Sequence, residues 1–237
     1  MLRCSAGGLF AFGGAGPSAV GDGGDLDYPP GVGFLTEAGE RALVGAIEAV
    51  ELRSRAELVV VVREQAGDYL GPELIVGNLV GLATLTFLMY SRWEFAPILF
   101  LIQPVLAVAA TVAVLRAVPL LRRGCVPIRK QEEAVRRAAA ACFFDKGIRN
   151  TRERTGVLVF VALFEQRVEI VADGGITAFV PKEQWREAAG LIEGVFHDRG
   201  DAVELAERIE QALGPRLERW CERRDDDTNE LPNEVGS

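Results

Sequence analysis

Two long uncharged runs, separated by three residues, constrain the fold of this chain more than any other feature. Residues 74–91 give 18 positions without a charged side chain, and residues 95–115 give 21 more. Because an α-helix rises about 1.5 Å per residue, about 20 residues cross the hydrocarbon core of a bilayer. The runs therefore predict a two-helix transmembrane hairpin over residues 74–118, with a bend at residues 92–94.

The alternative is that the two runs are buried core helices of a soluble domain. A chain of 237 residues has little other mass with which to surround two such helices on all sides. The polar residues inside the runs, Asn78 and Gln103, fit ordinary packing between helices. A transport pathway would instead need charged groups within the runs.

The flanking charges predict the orientation of the hairpin. The bend carries one Arg and one Glu. Five basic residues follow the second run: Arg116, Arg122, Arg123, Arg129 and Lys130. Since cytoplasmic loops are enriched in Lys and Arg, both termini and the soluble part are expected in the cytoplasm of a bacterial cell, with the hairpin in the inner membrane.

The sequence on either side of the hairpin has the pattern of a globular domain. Residues 34–70 predict a helix capped by Thr36 and then a buried strand beginning at Glu57. Residues 130–222 predict a helix at 132–144, a strand hairpin, and two helices opened by Pro181 and Asp201. A single strand must join a sheet to be buried, so the two parts are expected to form one α/β domain. The predicted fold is a small mixed sheet flanked by helices and split by the inserted hairpin.

Both chain ends differ in composition from this domain. Residues 1–33 contain ten glycines and predict a flexible tail, with a signal peptide as the alternative. Residues 223–237 predict an acidic tail. The four cysteines lack C-x-x-C spacing, which argues against a zinc site: Cys4, Cys125, Cys142 and Cys221. Reduced structural thiols are expected, with a disulfide or a reactive thiol as the alternative.

The globular parts resemble a known family. The motif LTE before a helix and ELVVV in the first strand are followed, after the hairpin, by the stretch RTGVLVFVALFEQRVEIVADGGI at residues 154–176. Together with Trp185 and the NELP motif at residues 229–232, this pattern is similar to the membrane-bound bacterial branch of the TPM-domain family. The matching positions are Glu57, Thr151, Thr155, Gly156, Glu165, Glu169, Asp173 and Gly174.

The resemblance covers residues 34–235 and implies an α/β/α domain with a central sheet. The wider family has been linked to phosphatase-like hydrolysis, to divalent-cation binding, and to assembly or accessory roles beside membrane complexes. The resemblance therefore implies one of these activities, without assigning a catalytic residue.

A candidate site follows the second strand of the predicted strand hairpin. Small residues at Gly174 and Gly175, after Asp173, would let a cation or phosphate approach the backbone, although a turn requires the same residues. Glu57 and Asp145 would converge with Asp173 if their elements are neighbours. Carboxylate oxygens suit Ca²⁺ or Mg²⁺, so these three acids are the candidate metal ligands. Thr151 joins the two glycines as a further candidate site residue.

Several function classes are disfavoured. A net charge of -8 without a basic face argues against nucleic-acid binding. Neither a P-loop nor a strand-following GxGxxG occurs, which argues against a nucleotide. His197, the single histidine, is predicted at a helix end, and no G-x-S-x-G motif accompanies it. The sequence thus predicts a membrane-anchored, non-catalytic binding or assembly module with a membrane-protein partner, or alternatively a metal-assisted phosphatase.

Overall fold

A mixed α/β fold is formed by the part of the chain that the computed structural model describes, residues 34–93, 95–151, 153–221 and 235–236. The predicted tail at 1–33 and most of the predicted tail at 223–237 lie outside these residues. The helices are α1 (Glu37–Glu51), α2 (Leu70–Tyr90), α3 (Pro97–Ala117), α4 (Pro119–Cys125), α5 (Ile128–Asp145), α6 (Gly174–Thr177), α7 (Lys182–His197) and α8 (Ala202–Trp220). The strands are β1 (Glu57–Arg63), β2 (Gly156–Ala162), β3 (Arg167–Ala172) and β4 (Val235–Gly236).

The sheet has the strand order β3-β2-β1-β4. β1 runs parallel to β2, with Glu57 opposite Gly156, and β3 returns antiparallel to β2. β4 adds two residues parallel to β1. Because β1 precedes the apolar helices and β2 follows them, the two parts of the chain share one sheet. The predicted small mixed sheet with flanking helices is confirmed.

Both faces of the sheet are covered. On one face α1, α7 and α8 pack on alternate residues of β1 and β2, with Leu43, Ile47 and Ile209 fully buried. On the other face α5 places Val135 and Phe143 against the remaining alternate residues. Every residue of β2 is buried, which is why this strand is a continuous apolar run rather than an alternating one.

The predicted helix starts are confirmed by their caps. Thr36 Oγ1 accepts from Gly39 N at 3.1 Å, and Asp201 Oδ1 accepts from Val203 N at 2.9 Å. The helical spacing of apolar residues predicts that Leu191 and Trp220 point inward from the helices that Pro181 and Asp201 open. For Leu191 this prediction is wrong, because its side chain is 53% exposed at the margin of the α7 stripe. Trp220, also predicted inward, ends α8 and remains partly exposed.

α2 and α3 form an apolar pair that packs mainly on itself. Each helix has 21 residues and is long and apolar enough to cross a membrane, yet only 22% of α2 and 6% of α3 is buried over their most apolar windows. Their contact depends on Gly77 and Gly81: a Cβ at Gly81 would lie 2.8 Å from Val108 Cγ2 and 3.1 Å from the Pro104 carbonyl oxygen. Small residues here let the two backbones approach closely.

Candidate functional site

The predicted metal ligands lie around one end of the sheet. Glu57 opens β1 opposite Gly156, and the Asp173 N–H donates to the Gly156 carbonyl oxygen at 2.9 Å. The two acids therefore stand on the strands that flank β2. Ile148 lies between them, because its backbone oxygen and its side chain fill the space that a side chain at position 156 would occupy.

The third predicted ligand, Asp145, is exposed at the last residue of α5, near this end of the sheet. Within the described ranges, no group of three or more His, Cys, Asp or Glu side chains is arranged to hold a metal ion. A Ca²⁺ or Mg²⁺ site at Glu57, Asp145 and Asp173 therefore stays a prediction.

Asp173 is a helix cap. Its buried carboxylate accepts from Gly174 N at 2.5 Å through Oδ1, which also lies 3.1 Å from an Arg154 guanidinium nitrogen. Within the described part of the chain, the buried Oδ2 atom has no hydrogen-bond partner. A buried acceptor without a partner is costly, so a ligand that donates to this oxygen or coordinates it would be stabilised there.

The remaining predicted site residues close a loop onto this cap. Thr151 Oγ1 accepts from Thr155 N at 2.9 Å, which closes the turn before β2. Gly175 N donates to the Arg154 carbonyl oxygen at 3.0 Å, and a side chain at position 175 would collide with that backbone. Arg154 itself has a left-handed backbone, with φ 57°. Thr151 and Gly175 are thus required for close packing of the loop against α6, whereas a Cβ at position 174 would meet only the Arg154 guanidinium, at an ordinary contact distance of 3.7 Å.

The opposite end of the sheet carries a second polar cluster, which we call the hairpin base: Gln65, Tyr69, Glu73, Arg116, Arg122 and Glu165. In parallel sheets ligands bind beyond the carboxyl ends of the strands, and β1 and β2 both end here. Glu165 lies in the turn after β2 and is completely buried. Its Oε1 accepts from Tyr69 Oη at 2.6 Å and from Ala66 N at 3.0 Å. Burial, together with this bond to Glu165, holds the pKa of Tyr69 above its usual range, so Tyr69 stays a donor.

Glu73 links both ends of the apolar pair. Its carboxylate, completely buried, accepts from Arg116 Nε at 2.9 Å and from Arg122 Nε at 2.6 Å. Arg122 also donates to Gln65 Oε1 at 3.0 Å, and its guanidinium lies 5.0 Å above the Phe164 ring. Arg122, which follows the apolar pair, therefore contacts Gln65 before the pair and Glu73 in its first turn.

A cleft of about 590 Å³ opens beside the hairpin base. Its walls are the 66–72 segment and α5, and it holds charges of both signs: Asp68, Glu133, Lys130 and Arg137. Tyr69 and Pro72 line it as well, so the cleft adjoins the first turn of α2.

Sequence reasoning did not identify the hairpin base. The charge of Glu73 limits the first uncharged run, so the helix was predicted to begin after it, whereas α2 begins at Leu70. The available signal was the pair Glu73, directly before the first run, and Arg116, directly after the second. A helical hairpin brings these two positions to the same level, so their opposite charges predict an ion pair. Glu165 belonged to the matched motif, but its contact with Tyr69 spans 96 residues.

The comparison with known proteins concerns the fold alone. No family model matches the chain, and no curated protein does. The chain is similar to the solved NMR structure of the BA42 protein from the psychrophilic bacterium Bizionia argentinensis, with a TM-score of 0.52 and 20% sequence identity. The match covers 86% of this chain and 96% of that one. At this identity the likeness supports a common fold and says nothing about activity.

Proposed function

We propose that this chain is an integral membrane protein of the membrane-bound bacterial TPM-domain branch, whose α/β domain is a non-catalytic binding or assembly module. In this proposal α2 and α3 span the inner membrane, and the domain lies at the cytoplasmic surface. The observation that carries it is the low burial of two long apolar helices, 22% and 6%. A soluble protein would bury such helices, since exposed apolar area in water is unfavourable.

The polar groups of the two helices are compatible with lipid. Thr84 and Thr111 hydroxyls donate to the backbone four residues earlier, at 2.9 and 2.7 Å, and the Asn78 amide does the same at 2.7 Å. In hydrocarbon every polar group needs such a partner. Basic residues follow α3, which favours a cytoplasmic location for both ends of the hairpin.

The cleft beside the hairpin base supports a binding role for the domain. It adjoins the first turn of α2, so a membrane protein could reach it with a segment that emerges from the bilayer beside the hairpin. Its charges of both signs suit a polar peptide better than a single ion. Arg137 is a cleft cation whose side chain is 78% exposed, so it can be altered without disturbing the core.

The first test is membrane integration. The intact protein should remain with the membrane after alkaline carbonate extraction, and reporters on both termini should be cytoplasmic. Recovery of monomeric protein in the aqueous fraction without detergent, or termini on opposite sides, would refute the membrane hairpin.

The second test addresses the binding role. Affinity isolation from detergent-solubilised membranes should return a defined membrane complex with the wild type and lose it with Arg137→Glu. Arg186→Glu, on the exposed side of α7, is the matched control. If Arg137→Glu leaves the complex unchanged, the partner does not bind at the cleft.

The alternative function is a divalent-metal-assisted, phosphatase-like hydrolase. The specific observation that favours it is Asp173 Oδ2, which has no hydrogen-bond partner among the described residues and belongs to a carboxylate paired with Arg154. A carboxylate oxygen can bind a metal ion, and an arginine can bind a phosphate. Turnover of a phosphomonoester with Ca²⁺ or Mg²⁺ by the purified protein should then disappear in Asp173→Asn. No turnover by the wild type, or turnover that survives the substitution, would remove this alternative.

A further inference from the structure

The segment between α3 and the body of α5 combines positive charge with exposed aliphatic side chains. Residues 116–131 contain five Arg or Lys residues and no Asp or Glu. Within this segment Leu120, Leu121 and Ile128 are 71%, 51% and 63% exposed. Water solvates such side chains poorly, whereas the headgroup zone of a bilayer accommodates both cations and aliphatic groups.

This segment lies at the level where the apolar pair ends. A single residue, Val118, separates α3 from α4, and α4 contacts both α2 and α3. If the apolar pair spans the bilayer, α4 therefore lies at its surface.

The segment is also fixed to the domain. Gln131 Nε2 donates to the carbonyl oxygens of Arg123 and Val126, at 3.1 and 3.0 Å, which closes the turn between α4 and α5. Arg122 is held by Glu73. The exposed leucines thus have a fixed position, and little conformational entropy is lost when they contact a surface.

We propose that residues 119–130 form a docking segment that binds the headgroups of anionic phospholipids. Leu120, Leu121 and Ile128 enter the boundary between headgroups and acyl chains, and the exposed Arg129 and Lys130 contact lipid phosphates. The charge of the segment selects anionic over zwitterionic lipid. The proposal rests on the proposed membrane hairpin and adds the lipid class that the domain recognises.

The test uses full-length protein reconstituted into vesicles. With all four native cysteines replaced by serine, Leu120→Cys carries an environment-sensitive fluorophore. We expect its emission to shift to the blue in phosphatidylcholine that contains a quarter phosphatidylglycerol, relative to pure phosphatidylcholine, and high salt should reverse the shift. Arg129→Gln with Lys130→Gln should weaken docking by up to about 30-fold.

Two controls match these changes on α7. A fluorophore at Leu191→Cys should not respond to lipid charge; this leucine is also exposed, at 53% against 71% for Leu120. The pair Lys182→Gln and Arg186→Gln removes the same charge outside the segment and should leave the Leu120 response intact. Retention of anionic lipid by the unlabelled wild type, measured by native mass spectrometry, does not depend on the cysteine replacements.

The outcomes separate the two proposals. Protein that fails to integrate into vesicles refutes the membrane hairpin. Protein that integrates but shows equal emission in both lipids and retains no anionic lipid refutes the docking segment alone. Emission shifted equally in both lipids, and unchanged by salt, would indicate contact with a second copy of the chain or with uncharged lipid, and also refutes the proposal.

Discussion

Replacement of Glu73 by Gln is the most informative perturbation of the hairpin base. A hydrogen bond between charged partners contributes about 1.5–3 kcal/mol, and the Arg122 contact keeps this value because its side chain is only 18% exposed. The Arg116 side chain is 56% exposed, so solvent screening reduces its contribution to about 0.5 kcal/mol. The substitution should therefore destabilise the protein by about 2–3.5 kcal/mol.

Thermal unfolding of the full chain in detergent, followed by circular dichroism, measures this loss. For a protein of this size we expect the Tm to fall by about 5–10 °C. Glu133→Gln is the matched control, because its carboxylate is 68% exposed and pairs with Arg137 at 3.8 Å. An exposed pair of this kind contributes under about 0.5 kcal/mol.

A double-mutant cycle with Arg122→Gln isolates the pair itself. Since the two groups are in direct contact, their coupling free energy should exceed about 1 kcal/mol. Equal Tm shifts for Glu73→Gln and Glu133→Gln, or additive effects of Glu73→Gln and Arg122→Gln, would refute the assignment of Glu73 as the link between the two ends of the apolar pair.

Three further predictions concern the rest of the molecule. Burial raises the pKa of Glu169 in the folded protein. The free energy of unfolding therefore falls as the pH rises from the pKa of this group in the unfolded chain to its pKa in the folded protein. Glu169→Gln should therefore raise the free energy of unfolding at neutral pH and change it little below about pH 4, and equal effects at both pH values would contradict this cause. Burial also raises the pKa of the Cys142 thiol. In the folded protein a maleimide should therefore modify the partly exposed Cys125 faster than Cys142, as measured by peptide mass spectrometry. Equal labelling rates for these two thiols would count against this packing. Gly81→Ala should destabilise the protein by about 1–3 kcal/mol in thermal unfolding, because the added Cβ overpacks against α3. Gly45→Ala is the control and should not destabilise it, because the space around Gly45 is open. The opposite order would contradict the contact between α2 and α3.

The secondary structure was largely predictable because its signals are local. Thr36 and Asp201 cap the helices they precede, and the continuous apolar runs of β1 and β2 follow from burial on both faces. The helix α4 was not predicted, since its seven residues are too few for a hydrophobic period and contain Gly124. The exposure of Leu191 was missed because the width of the buried stripe depends on what α7 packs against.

The site was less predictable because its determinants are distant in sequence. Asp173 was recognised as a turn or site residue, and its role as a cap depends on Arg154 and on the loop that α6 packs against. Glu73 was treated as a boundary because a buried acid is unfavourable unless it is paired. Its partners lie 43 and 49 residues later, and no local pattern connects them.

The central position of β1 determines when the sheet can form during synthesis. A nascent chain leaves the ribosome from its N-terminus, so β1 emerges before the apolar helices, and its neighbour β2 emerges after them. The strand therefore lacks its β2 neighbour while the apolar helices are synthesised, a period in which Val59, Val60 and Val61 expose an aggregation-prone edge. If α2 and α3 span a membrane as proposed, the sheet is completed only after both helices have inserted, and a failure of insertion also leaves the sheet incomplete.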